Sequence, residues 1–491
     1  MGTTERARFA ALPVLAIAAI AVMGLLLVAQ LHGFHRDELY FIVAGRNPDF
    51  GYPDQPPLTP LLSAAAVALL GVEPFAVRLL PAIAVGVVII LTALMARDMG
   101  GSGRAQVVAA LAIALSGLLA AGHLGSTTTY EMLLWTVLLW IVVKLLDGAD
   151  PRLWLAVGAV AGLALQNKQT ALILGVGLVA GLLLARRWDV LRSPWPWLGA
   201  LLAAAIWAPN VIWQAANDFP QLEMAAAISE RGGDERAMII PELLLLAGPL
   251  LFPVMLAGLW RLFRADGAGP WRTLAIAFLV SLGLVVVSGG KSYYAAAWFG
   301  PLMAAGGIVV DGWLDRGRQA LRTAVFVGAA AVSGLLIVVL TLPVIPPATL
   351  AETPIPELYA ETAEQVGWPE LVDTLESVAA ELTPEERASA AIFTANYGEA
   401  AAAELLADGL PPAYSGHNGY GRWGPPPEEL TTTIVVVRWE HLPPGLGRCI
   451  RTATVDNGFG LENQEQGAGV WVCRDRTAAW SDLWPHLTHL D

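Results

Sequence analysis

The chain has 491 residues, 56% of them hydrophobic, with a mean hydropathy of +0.57 and a formal net charge of −13. That apolar content excludes an ordinary soluble globule. The acidity argues against nucleic acid as a partner, because phosphate backbones are held by basic surfaces.

In chain order, eleven apolar runs are predicted to cross a bilayer as helices: 10–31, 76–96, 105–122, 131–146, 153–166, 169–185, 196–213, 241–263, 272–289, 293–310 and 323–343. Most approach the ~20 residues that a spanning helix needs. The first is longer than a signal-peptide core and shows no clear cleavage site, so it reads as a retained anchor. Fifteen of the 22 basic residues of this half fall on one side when the N-terminus is placed inside. The positive-inside bias then puts the loop 32–75 and the C-terminal segment outside the cytoplasm.

The first outer loop, 32–75, carries His35-Arg36-Asp37-Glu38-Leu39-Tyr40-Phe41 and then Tyr52-Pro53-Asp54-Gln55-Pro56-Pro57-Leu58. Ionisable groups beside a bilayer are expensive unless compensated, so such clusters mark functional sites. Asp37 and Glu38 are adjacent and cannot both point one way on a helix. One can face a cavity as a general base while the other caps or pairs. The bland alternative is a helix start that places acids at its positive end. Asp54 before tandem prolines reads as a rigid turn or as a residue near a helix N-cap. Residues 57–71 have the apolarity of a helix lying on or dipping into the membrane. The later loop 214–240, with Arg231-Gly232-Gly233-Asp234-Glu235-Arg236, has the composition of a mobile lid.

Lysine is scarce: Lys144, Lys168 and Lys291 are the only three. Lys144 sits at an inner edge. Lys168, in Gln166-Asn167-Lys168-Gln169-Thr170, and Lys291, in Lys291-Ser292-Tyr293-Tyr294, fall at outer turns. A compact ammonium suits a phosphate, and the plain alternative is snorkelling at the interface. No phosphate-cradling Gly-rich loop, His-Glu-x-x-His pair or metal-ligand spacing occurs, and His417 reads as a turn residue. No cofactor is expected, and a divalent metal is left open. The tryptophans, Trp195, Trp197, Trp213 and Trp298 among them, read as interface anchors.

Pro343-Val344-Ile345-Pro346-Pro347 ends the membrane half. Residues 344–491 hold seven arginines, no lysine and 22 acidic residues, a charge of −15. A helix is expected from Pro369 to Leu382, strands at Ala390–Thr394 and Thr433–Val437, and a helix from Gly398 to Leu406. This is an α/β domain of about a hundred residues. Cys449 and Cys473 lie in strand-like runs of a domain where a disulfide is permitted; they are either bonded or two buried thiols.

Arg36-Asp37-Glu38-Leu39-Tyr40, Asp54-Gln55-Pro56-Pro57-Leu58, Lys291-Ser292-Tyr293-Tyr294, Asn396-Tyr397-Gly398 and Ser415-Gly416-His417-Asn418 together resemble the polyprenyl-phosphate-dependent glycosyltransferases of the GT-C superfamily. Within it the chain is similar to bacterial members of glycosyltransferase family 39, related to protein O-mannosyltransferases and lipid A aminoarabinose transferases. The resemblance implies a polytopic α-helical membrane protein, with residues 1–343 as the transmembrane catalytic domain and 344–491 as an extracytoplasmic α/β domain, in a bacterial cell membrane. It implies Asp37 as an essential acid with Glu38 beside it, and a substrate site drawn from Arg36, Tyr40, Asp54, Gln55, Lys168, Lys291, Tyr293 and Tyr294. The aminoarabinose transferases carry a lysine where this chain has Gln55, so phosphate binding moves to Lys168, Lys291 or an arginine. The implied partners are membrane lipid, a polyprenyl-phosphate-linked sugar donor, and a glycan, lipid or protein acceptor. The rival readings are a transporter of lipid-linked sugar and a non-catalytic glycan-binding scaffold. Against the first stands the absence of a repeat; tolerance of Asp37→Asn would favour the second.

Overall fold

A computed structural model describes residues 7–231, 235–264, 269–439 and 441–490. Its contacts group the chain into two compact units. One comprises 1–27, 78–218 and 225–339; the other comprises 28–77, 219–224 and 340–491.

The first unit is helical. With helices shared across the boundaries included, six helices among the described residues are long and apolar enough to span a bilayer: Ala11–Val28, Pro74–Asp98, Thr127–Leu146, Pro194–Ala216, Ser292–Leu314 and Gln319–Thr341. Gly103–Ala114, Leu153–Leu165, Ala171–Leu184 and Arg272–Ser288 are shorter apolar helices of the same unit. Two predicted spans are interrupted. The run 105–122 breaks between Ala114 and Leu118, where the Ser116 hydroxyl donates to the Ile113 carbonyl and accepts from the Leu118 N–H. The run 241–263 breaks between Leu246 and Phe252, where Gly248 adopts φ +82°. A competing side-chain hydrogen bond and a left-handed glycine each divert the backbone from the helix. Helices Leu153–Leu165 and Pro194–Ala216 cross at Gly158 and Gly199. A Cβ on Gly158 would lie 2.1 Å from the Gly199 carbonyl oxygen, so only paired small residues allow this approach.

The loop 214–240 is not wholly irregular, since Pro220–Arg231 is a helix and Glu235–Ala237 a 3₁₀ turn. Gly232, Gly233 and Asp234 of the expected lid lie outside the described residues.

The second unit is built on a five-stranded sheet: β1 Ala390–Thr394, β2 Ala413–Ser415, β3 Thr432–Val437, β4 Arg448–Thr454 and β5 Gly469–Arg474, in the order β2-β1-β3-β5-β4. β1 runs parallel to β2 and β3, and β5 runs antiparallel to β3 and β4. β1 and β3 are buried along their whole length because both faces are covered. On one face Ile392, Ile434, Val436 and Val470 pack with Leu39 and Ile42 of helix Arg36–Arg46 and with Trp368, Leu371 and Leu375 of helix Trp368–Ala380. On the other, Phe393, Val435 and Val437 pack with Trp480, Leu483 and Trp484 of helix Trp480–Leu487. Cys449 and Cys473 stand opposite one another on β4 and β5 and are joined as a disulfide.

Candidate active site

Helix Arg36–Arg46 begins with a capping box. His35 is its N-cap: its Nδ1 accepts from the Asp37 N–H at 3.2 Å, and Glu38 Oε2 accepts from the His35 N–H at 2.8 Å. Each side chain satisfies an N–H that the helix start leaves without a helical partner. The acidic pair is thereby divided. The Glu38 carboxyl is turned onto the cap and is 1% exposed, whereas the Asp37 side chain is 36% exposed.

Asp37 accepts a hydrogen bond from the Tyr397 hydroxyl at 2.6 Å. Arg36 stands beside it, with Nε 3.7 Å from both Asp37 and Glu364 and its guanidinium 5.8 Å from the Tyr397 ring centre. One turn along the helix, the Tyr40 hydroxyl donates to Asp54 at 2.8 Å and accepts from the Gly419 N–H at 3.2 Å. The Tyr40 and Tyr397 rings lie 4.7 Å apart. Two tyrosine–carboxylate pairs therefore stand side by side.

Their surroundings tune them. Burial pushes the Asp54 carboxyl up to about 7; the Tyr40 hydrogen bond pulls it back only in part, and the Asp37 charge adds to the rise. Burial opposes charge on His35, but Glu361, whose carboxylate lies 2.6 Å from Nε2, outweighs it and brings the imidazole up to about 9. Burial, reinforced by Asp37, holds the Tyr397 phenol well above its usual range, so it remains a donor.

Close backbone approach explains two of the glycines in this neighbourhood. Helix Tyr397–Leu405 is capped by Asn396, whose side chain accepts from the Gly398 N–H. A Cβ at Gly398 would come within 2.7 Å of the Arg36 Cβ, and one at Gly419 within 2.5 Å of the Tyr40 hydroxyl. Glycine at both positions lets these backbones reach helix Arg36–Arg46.

The first unit holds a second cluster. Lys168 Nζ is 3.3 Å from the buried Glu131 carboxylate and lies over the rings of Tyr293 and Tyr294, 4.8 and 4.5 Å from their centres. The Thr170 hydroxyl also donates to Glu131. A carboxylate and two aromatic faces thus fix one ammonium. Lys291 is exposed and precedes the 3₁₀ segment Ser292–Trp298 that carries both tyrosines, making no side-chain cap hydrogen bond to it.

Arg36, Asp37, Tyr40 and Asp54 are thus brought together in one unit, and Lys168, Tyr293 and Tyr294 in the other. Asp54 is not a helix cap, because helix Leu58–Leu70 begins behind Pro57 without a side-chain cap. Gln55 is buried in the turn and its carbonyl accepts from the Tyr52 N–H at 2.8 Å. Glu131, Thr170 and the Tyr397 hydroxyl are the contributors that sequence reasoning missed. An acid at the head of an apolar run was the available signal for Glu131. Among the described residues, no group of three or more His, Cys, Asp or Glu is arranged to hold a metal ion.

Residues 54–213 match the family model described as dolichyl-phosphate-mannose-protein mannosyltransferase. The structure is similar to that of ArnT from Cupriavidus metallidurans bound to undecaprenyl phosphate, with TM-score 0.60 and 15% identity over 93% of this chain and 97% of that one. It is also similar to the Archaeoglobus fulgidus oligosaccharyltransferase tethered with an acceptor peptide, with TM-score 0.53 and 15% identity over 81% of this chain and 63% of that one. A third likeness is to the arabinofuranosyltransferase AftD from Mycobacteria, with TM-score 0.52 and 14% identity over 96% of this chain and 42% of that one. No curated protein matches the chain. The protein is a multi-pass membrane protein with the GT-C glycosyltransferase fold. The sequence match to the dolichyl-phosphate-mannose-protein mannosyltransferase model covers residues 54–213.

Proposed function

We propose that this protein transfers a sugar from a polyprenyl-phosphate-linked donor to an acceptor hydroxyl of a glycan, lipid or protein on the extracytoplasmic side of a bacterial cell membrane. Asp37 is the general base. It takes the acceptor proton as the acceptor oxygen bonds to the anomeric carbon. The bond from that carbon to the phosphate oxygen breaks, and its electron pair leaves with the polyprenyl phosphate. Displacement from the opposite face inverts the anomeric configuration. A cationic side chain, lysine or arginine, offsets the charge that develops on the departing phosphate. No nucleotide is needed, because the lipid phosphate is itself the activating group.

The observation that carries this reading is the division of the acidic pair: Asp37 is part-exposed and held by a phenol, while Glu38 is committed to the helix cap. The family match over residues 54–213 and the undecaprenyl phosphate bound by ArnT support the choice of donor class. The excess of arginine on the opposite side supports the orientation. The test is a comparison of envelope glycans, lipids and glycoproteins between wild type and a strain lacking the gene. The expected result is one missing sugar substituent, restored by the wild-type protein. An unchanged envelope alongside accumulated cytoplasmic lipid-linked sugar would instead identify a transporter.

A further inference from the structure

We infer that Tyr397 is a positioning residue for the proposed base: its hydroxyl fixes the Asp37 carboxylate in the geometry needed to receive the acceptor proton. This rests on the general-base reading and assigns the segment 340–491 a direct part in transfer.

Asp37 is the group that has to be held in place. It occupies the second position of its helix, and its carboxylate takes no part in the capping box, which uses the Asp37 backbone N–H alone. A part-exposed aspartate held only by water samples several rotamers. Here one carboxylate oxygen is tied to the Tyr397 hydroxyl at 2.6 Å, a short charge-assisted bond. The tie occupies one oxygen and leaves the other for a proton.

Tyr397 is itself firmly placed. It is 7% exposed, its ring lies 4.7 Å from that of Tyr40 and 4.4 Å from that of His417, and it opens a helix capped by Asn396. Tyr40 is fixed in turn by Asp54 and the Gly419 N–H. Packing and backbone contacts thus set the phenol before any substrate binds, as preorganisation requires. Burial keeps it protonated, so it serves as a hydrogen-bond donor to the carboxylate throughout.

The experiment uses the full-length protein as Tyr397→Phe, Asp37→Asn and the double variant, each expressed in the deletion strain at matched membrane abundance. Three quantities are read: the rate at which the missing substituent returns, binding of undecaprenyl phosphate to the purified variant, and its thermal midpoint. Phenylalanine keeps the ring and loses only the donor. The expected result is a roughly 10–100-fold slower return, the worth of one hydrogen bond to a charged group, with lipid-phosphate binding and thermal midpoint unchanged. The double variant should be no slower than Asp37→Asn alone, because Tyr397 acts through Asp37. Wild-type rates in Tyr397→Phe, a parallel fall in binding and thermal midpoint, or a further loss in the double variant would each overturn the proposal. A fully active Asp37→Asn would end the general-base reading itself. An inactive Asp37→Asn beside a fully active Tyr397→Phe would end the positioning role alone.

Discussion

Around Asp37, charge is spread over many groups. Arg36, His35, Glu361, Glu364 and Tyr397 come from segments more than three hundred residues apart and meet at the start of one helix. Around Lys168, a single ammonium is held by one carboxylate and two rings from helices of the same unit. The first arrangement keeps a carboxylate accessible and orients it. The second makes an ammonium expensive to remove, because its partner Glu131 is 2% exposed. The contrast suggests that losses at Lys168 fall first on stability, and losses at Asp37 on rate.

Lys168→Met breaks the second cluster most severely. It strands Glu131 and should destabilise the protein by about 3–5 kcal/mol, the cost of removing one partner of a buried pair. Adding Glu131→Gln should restore most of that stability. Equal thermal midpoints for the single and double variants would show that the pair does not couple. Replacing Cys449 and Cys473 by alanine should cost roughly 2–4 kcal/mol, through release of the 24-residue separation that the disulfide closes. Chemical unfolding of the variant measures it, and an unchanged midpoint would contradict it. Gly398→Ala should cost about 1–3 kcal/mol by overpacking against Arg36 and Trp368. It should also slow transfer by displacing Tyr397; a stable variant with normal rate would show that the close approach is relaxed without consequence.

The gentlest perturbation is His35→Asn, which keeps a capping side chain but loses the ion pair with Glu361. The folded imidazole titrates near 9 against an ordinary value of 6.5. Its contribution is therefore complete below pH 6.5 and disappears as pH rises through 9. Wild-type stability should fall across that window, and the variant should show a flatter profile there. A parallel fall in both would separate His35 from the alkaline loss.

Much of this was legible in the sequence. Apolar length revealed the helices, and continuous apolar, β-branched runs revealed β1 and β3 as strands buried on both faces. Adjacency alone required Asp37 and Glu38 to diverge, and the capping box decides which one turns inward. Other features were hidden for physical reasons. The breaks at Ser116 and Gly248 fall at Ser116-Gly117 and Gly248-Pro249, pairs inside otherwise apolar runs whose overall length reads as a single span; a local hydrogen bond and one left-handed residue decide them. The Tyr397–Asp37 bond spans 360 positions, so no local pattern encodes it. Asn396-Tyr397-Gly398 was visible as a motif, but its meaning appears only where Gly398 meets Arg36.

The most direct test of the account compares Asp37→Asn with Glu38→Gln in the deletion strain at equal membrane abundance. Asparagine preserves size and hydrogen bonding but cannot take the proton, and glutamine still completes a capping box. The account predicts a roughly 10²–10⁴-fold slower return of the missing substituent for Asp37→Asn, with folding intact, and a rate near wild type for Glu38→Gln. Near-normal transfer by Asp37→Asn, or loss of transfer by a well-folded Glu38→Gln, would contradict it.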